Sequence, residues 1–164
     1  MPLILHLLRH AQSADKQQGQ SDKDRDLTSA GRKEAATIGH YLKKINLGIE
    51  IIITSSAQRA QSTASVIYGI LNLSSDLVVA EDLYDASIRS LLEFTNQLED
   101  EHKNVLVIGH NPHLSYFAEY LTGAEIGSLE TAGLVSIRLN CNQWTEVKEG
   151  GGSMESYVYP AIIE

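Results

Sequence analysis

The chain has 164 residues, of which 43% are apolar and 21% charged, ordinary globular proportions that exclude disordered and fibrous classes. That length suffices for one domain, residues 1–164, with its own core. Lys and Arg number 13 against 21 Asp and Glu, and the formal charge of −8 argues against general nucleic-acid or anionic-membrane binding.

The opening Met-Pro-Leu-Ile-Leu-His run has no basic segment before it and is too short to span a bilayer, so a cytoplasmic protein is expected. Leu3 to Leu8 is an apolar run of buried-strand length. Ala35, Ile38, Leu42 and Ile45 follow helical spacing, with Thr28 as the N-cap. Glu50 to Ile53 reads as a second strand. Ala60, Ala64, Ile67 and Leu71 mark the helix after it. A weaker strand covers Leu77 to Val79, then Ile88, Leu91, Leu92, Thr95 and Leu98 form a helical stripe. Asn104 to Ile108 is another apolar strand. Asn111-Pro112 reads as an N-cap with proline at the first helical position, opening a helix striped by Leu114, Phe117, Ala118 and Leu121. Leu134 to Leu139 and Trp144 to Val147 read as a final pair of strands joined by Asn140-Cys141-Asn142, and Gly150-Gly151-Gly152-Ser153 as a flexible turn. The lone Cys141 excludes an intrachain disulfide and suits a reducing compartment.

Strands alternating with helices predict an α/β three-layer sandwich with a mostly parallel central sheet. Ligands of such folds gather beyond the carboxyl ends of the strands. Three polar segments fall there: Arg9-His10, the stretch from Thr54 to Arg59, and Gly109-His110. No histidine pair has zincin spacing, and there is no cysteine cluster, calcium loop or nucleotide fingerprint, so neither metal nor cofactor is expected.

Leu7-Leu-Arg-His-Ala-Gln-Ser13 resembles the Arg-His-Gly signature of the histidine phosphatase superfamily, which includes the phosphoglycerate mutases; Ala11 stands where the family has glycine. Asp26-Leu-Thr-Ser-Ala-Gly-Arg32 is similar to its Leu-Thr-x-x-Gly segment. Thr54 to Ala64 is similar to its Ser-x-x-x-Arg-Ala-x-x-Thr-Ala segment, and Val107 to Pro112 to its second-histidine motif. An isolated Arg-His pair is usually a surface arginine and a strand-end histidine. Four motifs in the family's order are a different matter. Gly-His-Asn-Pro and the short stretch between Thr54 and His110 resemble the SixA-type phosphohistidine phosphatases more narrowly.

The resemblance implies a phosphoglycerate-mutase-like fold and a metal-independent phosphatase. His10 would attack phosphorus and carry a covalent phosphohistidine. Arg9 and Arg59 would meet the phosphoryl oxygens as forks, with His110 protonated or donating as a third contact. Arg25 and Asn111 would complete substrate binding. For the leaving-group acid, Asp85 is favoured within Glu81-Asp-Leu-Tyr-Asp85, with Asp82 and Glu81 as rivals. His6 reads as a core residue, Ser62 and Thr63 as helix packing, and His113 as a fringe of the pocket. Only Ala80 to Lys103 separate the relevant strands, which implies a minimal or absent cap and an open pocket. An open pocket suits phosphohistidine on a partner protein. A broad phosphomonoesterase acting on small phosphoesters and a non-catalytic phosphate-binding adaptor are the alternatives.

Overall fold

The computed structural model describes residues 2–164, so only Met1 of the opening run lies outside it. Eleven regular elements follow in order: β1 (Leu3–Arg9), α1 (Ser29–Ile45), β2 (Ile51–Ser55), α2 (Gln58–Leu71), β3 (Val78–Ala80), α3 (Ile88–Asn96), β4 (Asn104–Gly109), α4 (His113–Thr122), β5 (Leu134–Leu139), β6 (Gly152–Val158) and the short α5 (Pro160–Ile163). The sheet order is β3-β2-β4-β1-β5-β6. β3, β2, β4 and β1 run parallel, and β5 and β6 add antiparallel at one edge. This is the mixed, mostly parallel α/β sheet that the alternation of patterns predicts.

Alternating side chains feed two cores on opposite faces. Leu3, Leu5 and Leu7 of β1 join Leu91, Leu114, Phe117 and Trp144 under α3 and α4. Leu8 joins Ile38 and Leu42 of α1 and Ala64 and Ile67 of α2 on the other face. Thr28 caps α1 as its sequence suggests, accepting from Gly31 N–H at 2.9 Å.

Three expectations are corrected. Trp144 to Val147 is not a strand: Trp144–Glu146 forms a 3₁₀ turn that buries Trp144 and Val147. The partner of β5 is instead β6, which begins inside the glycine patch at Gly152, where an added Cβ would stand 2.7 Å from Ile137 Cγ2. Asn111 does not cap α4. Pro112 takes that place, the Asn111-Pro112 bond is cis, and the Asn111 side chain turns elsewhere.

Candidate active site

Register brings the motifs together. Arg9 and Gly109 are lateral partners at the ends of β1 and β4, and His10 N–H donates to the Gly109 carbonyl at 3.1 Å. The residues just beyond, His10 and His110, therefore face each other with ring centroids 5.2 Å apart. β2 lies on the other side of β4 and ends at Ser55, whose Oγ is 2.7 Å from His110 Nε2. Arg59, the second residue of α2, is only 7% exposed.

His10 is nearly buried, and its Nδ1–H donates to the Ala11 carbonyl at 2.7 Å. A carbonyl only accepts, so this contact fixes the proton on Nδ1 and leaves the lone pair on Nε2. Burial is the largest cause lowering the His10 pKa to about 4; the Ala11 contact opposes it, while the guanidiniums of Arg59, Arg9 and Arg25 lower it further. The ring is thus neutral near pH 7. Ala11, fully buried, gives its N–H to Thr63 Oγ1 at 3.0 Å, and Thr63 in turn donates to the Arg59 carbonyl at 2.8 Å. Thr63 therefore ties the histidine loop to the arginine helix, more than the packing its sequence suggests.

His110 is also neutral with these neighbours, its pKa pushed down to about 3 by burial first and then by His10 and Arg59. Any donation it makes at neutral pH is from an N–H of the uncharged ring. Its Nδ1 and Arg9 Nε are buried polar atoms with no partner among the described residues. Arg9 is held through Nη1, which donates to the Leu129 carbonyl at 2.7 Å. The same carbonyl accepts from Asn111 Nδ2 at 3.0 Å, and Asn111 Oδ1 accepts from Ser115 at 2.6 Å. Asn111 lines the pocket, and its amide is spent on fastening the loop before β5 to α4.

Arg25 donates to the Ala14 carbonyl, Ser13 Oγ and Asp22 Oδ1 at 2.9, 2.8 and 2.9 Å. Gly31 explains the Leu-Thr-x-x-Gly segment: a Cβ there would lie 2.0 Å from the Gln12 carbonyl, so only glycine lets α1 start against the histidine loop.

A cavity of about 350 Å³ opens beside Arg59 and His110, lined also by Asp22, Tyr84, Asp85 and His113 among others; His10, Arg9 and Arg25 lie off this lining. Asp85, in the left-handed region at φ 56°, is the one member of the three acidic candidates on this lining. Asp82 faces a separate groove between β2, β3 and α3, and Glu81 pairs with Lys23 at the surface. Between β3 and β4 lie only the 3₁₀ turn Glu81–Leu83, α3 and short connections, so no helical cap covers the mouth. Three participants escape sequence reasoning. Asp22 reaches Arg59 from the β1–α1 loop, Tyr84 sets its ring edge-on to His110 at 5.7 Å, and Ser55 touches His110. Tyr84 lay inside the acidic string already singled out; Asp22 carried no signal in a loop rich in charged residues.

Two histidines and a cluster of arginines thus gather at the carboxyl ends of the parallel strands. The profile of the histidine phosphatase superfamily (branch 1) matches residues 5–88, and the chain belongs to that superfamily. It is 29% identical over 137 residues to the phosphohistidine phosphatase SixA of Escherichia coli strain K12, covering 82% of this chain and 84% of that one. An uncharacterized protein of Mycobacterium tuberculosis strain H37Rv is 28% identical over 163 residues, covering 93% and 99% respectively. The solved structure of the protein histidine phosphatase SixA complexed with tungstate superposes with a TM-score of 0.84 at 25% identity, covering 99% of this chain and all of that one. Among the described residues no helix is long and apolar enough to cross a membrane.

Proposed function

We propose that the chain is a phosphatase that works through a phosphohistidine on His10 and removes phosphate from phosphohistidine on a partner protein, its residues 1–164 acting as one domain. The observation that carries this reading is the state of His10: a neutral ring with Nδ1–H on the Ala11 carbonyl and the lone pair on Nε2. In the first step Nε2 bonds to phosphorus while the bond from phosphorus to the leaving atom breaks, and that atom takes a proton. In the second, water attacks phosphorus, the bond to Nε2 breaks, and phosphate leaves a neutral His10.

Arg9 and Arg59 hold the peripheral oxygens through their guanidinium N–H groups. Arg25 adds positive charge from behind and Asn111 keeps the loop carrying Leu129 in place. A phosphoryl dianion between the two histidines offsets the positive field on His110 and favours its protonated, donating form. Asp85 supplies the leaving-group proton where one is needed. Positioned guanidiniums do the work a metal does elsewhere, so the reaction proceeds without metal or cofactor. The uncapped mouth between β3 and β4 suits a side chain presented by a protein, and the likeness to SixA supports the same substrate class. The acidic chain and its free Cys141 suit work in the cytoplasm, away from nucleic acid and membrane.

The test is turnover on a panel of phosphohistidine protein, p-nitrophenyl phosphate and sugar phosphates. The expected result is a higher kcat/KM for the first. Equal rates on all three would favour a broad phosphomonoesterase, and no turnover with retained phosphate binding an adaptor.

A further inference from the structure

The Asp22 carboxylate engages a terminal nitrogen of Arg59, a group that the reading above gives to the substrate's phosphoryl oxygens. Both terminal nitrogens of Arg59 donate to one residue, Nη1 to the Asp22 carbonyl at 2.8 Å and Nη2 to Asp22 Oδ2 at 3.0 Å. The Tyr84 hydroxyl donates to the same Oδ2 at 2.8 Å, and Arg25 Nη1 to Oδ1 at 2.9 Å. The Asp22 carboxylate thus occupies Nη2 of Arg59 with one charge-assisted contact, while Nη1 is held by the loop backbone. The loop is tied to the Glu81–Tyr84 segment by a neighbouring contact as well: Lys23 pairs with Glu81 and lies 5.3 Å from the Tyr84 ring centre.

We propose that Asp22 is a specificity-determining residue: an internal carboxylate that the phosphoryl group must displace from Arg59, and that then favours a phosphoramidate with a protonated leaving nitrogen over a phosphate ester. This rests on the reading that Arg59 holds the phosphoryl group. Exchange at Nη2 follows because the carboxylate and a phosphoryl oxygen would compete for the same donor and repel each other. Protonation does not open the site. The Tyr84 hydroxyl, then Arg25 and Arg59, hold the Asp22 carboxyl far below the usual carboxylate range, so it stays charged at any physiological pH.

Once displaced, the carboxylate cannot go far. Arg25 retains it, and Arg25 is itself fixed to Ala14 and Ser13. Asp22 therefore remains on the rim of the cavity it shares with Tyr84, Asp85 and His110. A phosphate ester brings only further negative charge to that rim. A protonated imidazole on phosphorus brings a positive charge and an N–H donor, which meet the carboxylate directly. A merely structural role, in which Asp22 braces Arg59 for the substrate, predicts the opposite sign for the effect of removing it.

The experiment measures inorganic phosphate binding by calorimetry, with kcat/KM for p-nitrophenyl phosphate and phosphoimidazole, in the full chain and in Asp22→Asn. One charge-assisted contact no longer needs breaking, so phosphate should bind roughly tenfold tighter. Hydrolysis of the ester should gain through KM, and the preference for phosphoimidazole should fall by a similar factor. Weaker phosphate binding, or an unchanged substrate ratio, overturns the proposal. Tyr84→Phe, which removes one support of the carboxylate without touching the loop backbone, should move both quantities the same way by less, and covers the case of a misfolded Asp22 variant. Arg59→Ala separates the two readings. If it leaves phosphate binding intact, the phosphoryl cradle itself is wrong; if it abolishes binding while Asp22→Asn brings no gain, only the role of Asp22 fails.

Discussion

His6 should make the fold acid-sensitive in a defined window. It is fully buried in β1, with Nε2 2.6 Å from Asn104 Oδ1 and Nδ1 2.7 Å from Ser136 Oγ. Asn104 Nδ2 donates to the Leu47 carbonyl, so Oδ1 must accept from His6 Nε2–H, and Nδ1 accepts from the Ser136 hydroxyl. The neutral ring is satisfied on both nitrogens, and a second proton would have to turn the Ser136 hydroxyl round. Burial is the main cause holding the pKa at about 4 against an ordinary 6.5, with the Asn104 contact acting weakly the other way. Between those values the unfolded chain binds this proton and the folded chain does not, so stability is lost as pH falls from 6.5 towards 4. From pH 7 to pH 5 the loss from this one group is about 2 kcal/mol. Urea midpoints at the two pH values, in wild type and in His6→Gln, isolate it, because the other buried histidines remain in both proteins. The variant should show a pH-dependent loss smaller by that amount, whatever its stability at pH 7. Equal losses in both proteins would refute the reasoning.

Arg59→Lys keeps the charge but replaces a fork that engages through both terminal nitrogens with a single ammonium. Losing one charge-assisted contact costs about 1.5–3 kcal/mol, so kcat/KM on p-nitrophenyl phosphate should fall roughly 10–100-fold; a change within twofold would count against the fork. Asp85→Asn should depress hydrolysis of alkyl phosphates far more than that of p-nitrophenyl phosphate, whose leaving group departs unaided, by up to roughly 10²–10⁴-fold. Equal losses on both esters would mean that Asp85 acts through pocket charge. EDTA should leave activity unchanged while tungstate inhibits competitively; loss in EDTA restored by a divalent ion would contradict the arginine-based account.

Much of this architecture was legible because it is written in buried apolar runs. Leu3 to Leu8 and Asn104 to Ile108 fall within one residue of β1 and β4, and the strand-end rule brings Arg9-His10 and Gly109-His110 together. β6 was not legible. Its Ser153, Met154 and Glu155 are exposed and interrupt any alternation, while its first residue hides in the glycine patch. Trp144 and Val147 misled for a complementary reason: two buried residues three apart fit a 3₁₀ turn as well as a short apolar strand. Asp22 could not be read from its own surroundings, because its meaning comes from Arg59, 37 residues away. Ser55 and Thr63 lay inside a recognised motif, but only the pairing of β2 with β4 and the packing of α2 against the histidine loop show what their hydroxyls touch.

The central claim is that phosphorus passes through a covalent bond to His10. The most direct measurement is rapid mixing of the wild-type chain with radiolabelled phosphohistidine protein, an alkaline quench that preserves phosphoramidates, and peptide mapping of the label. The account predicts a transient label on the peptide carrying His10, at the ring nitrogen opposite the one held by the Ala11 carbonyl, and none in His10→Ala. Full turnover with no label on His10, or turnover that survives His10→Ala, would contradict it.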